Sequence, residues 1–429
     1  MTVLDRAPHL STRSAAFIGV GAMVGAGIFA LLGAAGEVAG AAVWVSFLIA
    51  GAVAALQGYS FAKFGARYPS AGGLLEYVVR GFGNGHLTGV IAWLLLATNA
   101  IITAMVAVSF GSYASGAFAD GGATWTKVFA VLVVLVMTLL NVLGSQAVAR
   151  AQTVVVVVVV GILTVFAVAT LSNLDTSLLA FSGYPPLRDV VSSVALTFFA
   201  FLGFGVITFT AKDLAAPKRQ LPRAVYLALG IATVVYVAVA LGVFGTLTVD
   251  EVVDSGGTAL AVAAQPVLGD AGYWLMTVTA LFATAGATNS GLYPAAGLCE
   301  QMSAIGQFPP QLGRRWGRAP AGILLTAVAA IVLAIGFDLS SIASIGSAVA
   351  LIVFALVSSG HFRVRRETGA QAWLLALAVG SAVIVLVTFA LTTLVEEPGT
   401  AVALVVILLL GVVLDLGWKR RRNAHPESG

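Results

Sequence analysis

Gly19-Val20-Gly21-Ala22-Met23-Val24-Gly25-Ala26-Gly27-Ile28-Phe29 is an apolar run with four glycines in its first nine residues. Glycine in a helix interior costs about 1 kcal/mol relative to alanine, because it adds backbone freedom that folding must freeze. Two readings of the run compete. Gly21 and Gly25 fit the small-xxx-small spacing by which membrane helices pack closely. Gly25-Ala26-Gly27 also fits a helix broken within the membrane. A second stretch favours the break: Phe198-Phe199-Ala200-Phe201-Leu202-Gly203-Phe204-Gly205 carries the same Gly-x-Gly device. Matched interruptions in two apolar segments point to a transporter built from repeats, with its site near the membrane midplane.

The surrounding composition makes these segments membrane spans. Only 9% of the 429 residues are charged, against roughly 25% in soluble domains, and mean hydropathy is +1.02. The apolar residues fall in stretches near the ~20 that cross a bilayer as a helix. Twelve are expected, at 14–36, 41–61, 87–111, 125–144, 153–171, 190–211, 224–247, 272–298, 320–337, 341–360, 372–394 and 400–416. The valine run 154–160 has strand propensity, but a lone strand in lipid leaves its backbone unpaired, so helix is expected. Arg6 and Arg13 precede an apolar stretch with no evident cleavage site, which predicts an uncleaved first span.

With the first tail in the cytoplasm, these spans put 20 of the 22 Lys and Arg on the inner side, leaving Lys127 and Arg188 outside. A wrong span count would scramble that asymmetry. It also accounts for the net charge of +4 without a nucleic-acid partner. The reading is one integral membrane domain over 14–418, between cytoplasmic tails at 1–13 and 419–429, with Lys419 to Arg422 as an inner-face anchor. The longer external loops are expected at 112–124, 172–189 and 248–271. Cys299 has no cysteine to pair with and reads as a core filler.

A broken helix bares amide N–H groups on one half and carbonyls on the other, and these need partners in lipid. The donor end carries partial positive charge and suits a carboxylate; the carbonyl end suits an ammonium. Both together suit a zwitterion, so an amino acid is the expected ligand.

The two Gly-x-Gly motifs, with Pro217-Lys218-Arg219-Gln220-Leu221-Pro222-Arg223-Ala224, Arg67-Tyr68-Pro69-Ser70-Ala71-Gly72-Gly73 and Gly306-Gln307-Phe308-Pro309, resemble the amino acid-polyamine-organocation permeases along about the whole chain. The resemblance implies an all-α, LeuT-like fold of two inverted five-helix repeats, at about 14–171 and 190–360, plus two further helices at about 372–416. Helices one and six would be discontinuous. It further implies that a substrate carboxylate meets amides around Gly25, Ala26 and Gly27, and that the ammonium meets carbonyls near Met23, Phe199 and Leu202. Phe199 would gate the site, and Gly203 and Gly205 would complete it. Leucine at Gly27 is then expected to block the bared amides while the fold survives.

Two departures qualify the resemblance. Many relatives carry an acid where this chain has Gly205, which weakens the case for polyamines or agmatine. Many also carry a lysine in span five in place of a sodium ion, and 154–161 has none. Thr284, Thr288 and Ser290 can offer hydroxyls to a coupling cation or bond back to their own helix, and Glu300 is a candidate proton site at the inner interface. Proton coupling, sodium coupling and plain exchange stay open.

The expected function is therefore secondary active transport of a neutral or apolar amino acid across the cytoplasmic membrane, with lipid as surroundings. An amine or polyamine exchanger of the same fold is the alternative, and a channel or receptor a more distant one. An integral-membrane enzyme would need acids, histidines or cysteines at depth, whereas His9, His86, His361 and His425 are expected in loops or tails. No cofactor or metal-ligand spacing is evident.

Overall fold

A computed structural model describes the backbone of residues 10–25, 27–70, 73–143 and 146–424, and the side chains of all of these except 146–153, 394, 396 and 424. Arg6, His9, Ala26, Ala71, Gly72 and His425, singled out in the sequence, lie outside these residues, as does the side chain of Arg150.

The described chain is nearly all helix. α1 (Thr12–Val24) and α2 (Ile28–Ala39) flank the first Gly-x-Gly. α3 (Val43–Arg67), α4 (Leu74–Phe82), α5 (His86–Phe118), α6 (Ala123–Leu143) and α7 (Gln146–Ser172) follow. α8 (Leu187–Thr197) runs directly into a 3-10 helix over Phe198–Asp213. The rest comprises α9 (Pro217–Phe244), α10 (Val249–Ser255), α11 (Ala259–Ala304), α12 (Ala321–Gly336), α13 (Leu339–Thr368), α14 (Ala372–Leu391), α15 (Thr393–Glu396) and α16 (Pro398–Ala424).

Among the described residues, nine helical stretches are long and apolar enough to cross a membrane, and the protein is a multi-pass membrane protein. α5, α13 and the stretch Leu187–Asp213 are mostly buried, whereas α6, α14, α16 and the described side chains of α7 mostly face outward. The first group is the centre of the bundle and the second its lipid-facing rim. The valine run of α7 is helical, as lipid requires. One buried amide inside the bundle is fully tied into it: Gln57 of α3 donates to Ala378 O at 2.7 Å and accepts from Ser358 Oγ at 2.9 Å.

The structure adds helices where the sequence reading had loops. α4 hides Leu74, Leu75, Tyr77 and Val78 on one face and turns Arg80 outward. The expected external loop 248–271 contains α10 and the start of α11, which bends at Gly269, where φ is 66°. α10 starts in a capping box: Thr248 Oγ1 accepts from the Glu251 amide at 3.3 Å, and Glu251 accepts from the Thr248 amide at 2.8 Å. Thr248→Ala should cost about 1 kcal/mol locally, read as faster amide exchange across 250–253 with no change elsewhere. His361 is corrected too: it lies inside α13 and is fully buried. Its Nδ1 meets Ser60 Oγ at 2.9 Å and its Nε2 meets Thr368 Oγ1 at 2.8 Å.

Candidate functional site

The first break is built by glycine at both of its ends. α1 stops at Val24 with Gly25 as its cap, and Gly27 caps α2. The Gly25 amide donates to Gly21 O at 3.3 Å and the Gly27 amide to Met23 O at 3.1 Å. Those two N–H groups and the Met23 carbonyl are thus already engaged. The Ala30 and Leu31 amides both reach Gly27 O at 3.2 Å. The amides of Ile28 and Phe29, the first two of α2, have no such partner among the described residues. The anion-attracting end of α2 is therefore presented one to two residues beyond the set read from the sequence, of which Ala26 lies outside the described residues.

The second segment is a long 3-10 helix rather than a gap. Residues three apart eclipse in such a helix, so its side chains form three rows. Phe198, Phe201 and Phe204 make an aromatic row: Phe204 stacks on Phe61 at 5.4 Å, Phe198 and Phe204 meet Phe354 edge-on, and Phe201 meets Tyr236 at 5.1 Å. Ala200 and Gly203 face the first break. A Cβ on Gly27 would lie 2.2 Å from Ala200 Cβ, and one on Gly203 would lie 2.4 Å from Ala22 C and 2.5 Å from Met23 N. The third row carries Phe199, Leu202 and Gly205. Phe199 is wholly buried, and its ring would lie 2.5 Å from a Cβ on Gly346.

Two buried tyrosines hold the backbone beside the breaks. Tyr113 OH donates to Phe29 O at 3.2 Å, and Tyr236 OH to Ala200 O at 3.0 Å. The breaks touch through small residues, as close packing in a bilayer demands. This changes the reason for expecting Gly27→Leu to be harmful: its side chain would wedge α2 away from Ala200, so the fold itself bears the strain.

A cavity of about 70 Å³ lies beside this contact. α5 contributes Leu95, Thr98, Asn99 and Ile102; the 3-10 helix contributes Leu202, Gly203, Gly205, Val206 and Phe209; α11 contributes Ala287, Ser290, Gly291, Pro294 and Leu298. Ala22, Leu74, Leu75 and Phe354 complete the wall. No lining side chain is charged. The Thr98 hydroxyl donates to Leu94 O at 2.8 Å and the Ser290 hydroxyl to Gly286 O at 3.2 Å. The Asn99 side-chain amide has no hydrogen-bond partner among the described residues.

Of the residues expected from the sequence, Leu202, Gly203 and Gly205 line the cavity, while Met23, Gly25, Gly27 and Phe199 pack behind it. Asn99 was not expected on its wall, and Ser290 was expected only as a hydroxyl for a coupling cation. A single asparagine in an otherwise apolar span is the signal that marks Asn99, since such groups are costly in lipid. Thr284 and Thr288 are buried and donate back to Ala280 O and Thr284 O, at 2.6 and 2.9 Å. Glu300 is exposed near the C-terminal end of α11. Between α1, α7 and α11 lies a narrower gap of about 10 Å³, lined by Gly21, Val24, Gly25, Val155, Val156, Val159, Ala283, Gly286 and Ala287. Its side chains are apolar throughout. Among the described residues no group of three or more His, Cys, Asp or Glu could hold a metal.

A sequence profile of the family described as amino acid permease matches residues 10–416. The chain is 33% identical over 411 residues to the inner membrane transport protein YbaT of Escherichia coli, covering 95% of each chain. It is 26% identical to a methylthioribose transporter of Bacillus subtilis, over 70% of this chain and 68% of that one. It is also 26% identical to cationic amino acid transporter 3, mitochondrial, of Arabidopsis thaliana, over 83% of this chain and 61% of the relative.

Proposed function

The chain belongs to the amino acid permease family, within the amino acid-polyamine-organocation superfamily, and from that premise we propose that it is a secondary transporter of a neutral, predominantly apolar α-amino acid. The observation that carries this reading is the uncharged cavity beside the 3-10 helix and the end of α1. The positive end of α2 at Ile28 and Phe29 carries donors suited to a carboxylate, behind the cavity wall rather than on it. Leu95, Ile102, Val206 and Phe354 supply an apolar wall for a side chain. A polyamine or a cationic side chain would bring an extra charge with no counter-charge on that wall, and burying an unpaired ion is costly.

On this reading twelve crossings form one domain over 14–418, with α1 and α2 as one broken crossing and α8 with the 3-10 helix as its unbroken counterpart. The inverted repeats lie at about 14–171 and 190–360, the two further helices at about 372–416. Both tails are cytoplasmic and the membrane is the cytoplasmic one, as the 20 to 2 division of basic residues supports.

Counterflow in proteoliposomes tests the proposal. Labelled neutral amino acids should enter saturably and be accelerated by unlabelled neutral amino acid inside. Uptake without trans-stimulation would point to a channel, and competition by agmatine or putrescine as strong as by leucine would overturn the substrate class.

We further propose that sodium does not couple transport. Neither Thr284 nor Thr288 lines the gap between α1, α7 and α11, and that gap has no side-chain oxygen on its lining. Replacing sodium by choline should leave the initial rate within about twofold, since a hard cation needs several oxygen ligands. A strictly sodium-dependent rate would refute it.

A further inference from the structure

Among the described residues, Asp415 of α16 is the one buried carboxylate, with 0% exposure, and Lys419, one turn on, is 6% exposed. Their charged atoms are 2.9 Å apart, and the other Asp415 oxygen is 2.6 Å from His86 Nδ1 at the start of α5. The carboxylate rests on Gly89: a Cβ there would lie 1.9 Å from Asp415 Oδ1 and 2.7 Å from Gln307 Oε1. It therefore sits over the first turn of α5, where the helix dipole favours an anion.

The same end of α16 grips the segment that leaves α11. Trp418 Nε1 and Arg422 both donate to Gly306 O, at 3.0 and 2.8 Å. Asn84, just before α5, donates to Ile305 O at 3.1 Å and accepts from Gln307. Phe308 is buried against Trp93 of α5, ring centroids 4.1 Å apart. Three chain segments thus converge on one buried ion pair. Such a pair offsets a large desolvation cost, so it is weak evidence for stability, and its best-attested role is to specify one arrangement.

We propose that Asp415 is a positioning residue that fastens α16 to the inner ends of α5 and α11, so that the helices carrying Asn99 and Ser290 form one stationary wall of the cavity. Gly89 and Asn99 are ten residues apart, about 15 Å along α5, so the pair acts on the wall without touching the ligand. The proposal rests on the transport reading only for its effect on uptake.

Asp415→Asn, Lys419→Met and the double variant test it, each reconstituted and corrected for folded protein. Each single variant strands its partner, so Vmax for a neutral amino acid should fall at least about fivefold with KM within about twofold, and the double variant should recover most of the loss. Gly89→Ala, which pushes a methyl into the carboxylate, should behave like Asp415→Asn. Deuterium exchange over 84–92 and 303–310 should rise in the single variants and return in the double one, whether or not any substrate is transported. A double variant no better than the worse single variant in exchange and uptake would overturn the proposal. So would unchanged exchange at both segments in Asp415→Asn.

Discussion

Gly203→Ala is expected to lower uptake by about tenfold to a hundredfold, from one added methyl group. The new Cβ would point into the α1 backbone, 2.4 Å from Ala22 C and 2.5 Å from Met23 N. Backbone cannot rotate out of the way as a side chain can. The two broken segments would have to part, and overpacking of this kind costs about 1–3 kcal/mol, or up to two powers of ten in a rate that needs the closed contact. Gly205→Ala is the built-in control. Its Cβ would meet only Leu74 Cδ1, at an ordinary 3.5 Å, so uptake should stay within about twofold, as for a substitution that strains nothing. Equal losses in the two variants would mean that the contact between the breaks does not limit transport.

Gly205→Glu is expected to be the second most damaging change, by a different route. Space at this position opens into the cavity, so the side chain fits, but its carboxylate finds no cation on a wall without charge. Neutral amino acids would then share the cavity with an unpaired anion, and their uptake should fall at least about tenfold. The same carboxylate would supply the counter-charge that an amine lacks in the wild-type protein. Putrescine or agmatine should therefore raise the melting temperature of Gly205→Glu and leave that of the wild type unchanged. Normal neutral uptake by this variant would remove Gly205 from the site.

How far such detail can be read from a sequence depends on whether its cause is local. The break between α1 and α2 was legible because glycine cost and apolar run length belong to neighbouring residues, whereas the second expected break is a continuous 3-10 helix. Helix in the valine run followed from the solvent alone. The capping box Thr248-x-x-Glu251 was present in the sequence as a start signal, and α10 was missed because a polar stretch between spans was taken whole as a loop. His361 was misassigned because the span was ended at 360, whereas α13 runs on to a left-handed cap at Gly369, φ 65°.

That the Gly25 and Gly27 amides donate back to α1 depends on backbone angles that composition does not set. The contacts of Gly27 with Ala200 and of Gly203 with Ala22 join residues some 180 positions apart. Which face of α5 turns Asn99 to the cavity depends on the packing of its neighbours.

The 16-residue 3-10 helix stores length. At about 2.0 Å per residue against 1.5 Å in an α-helix, it is roughly 8 Å longer than the same residues would be if rewound. Rewinding exchanges each i→i+3 hydrogen bond for an i→i+4 one, so such a span can shorten inside lipid while its amides keep partners. Its far end is not free: Leu10 N–H donates to Asp213 O at 2.8 Å, just ahead of α1. Any change in the pitch of this 3-10 segment therefore pulls on the chain entering the first break, and the two halves of the site are geared together through Leu10 and Asp213.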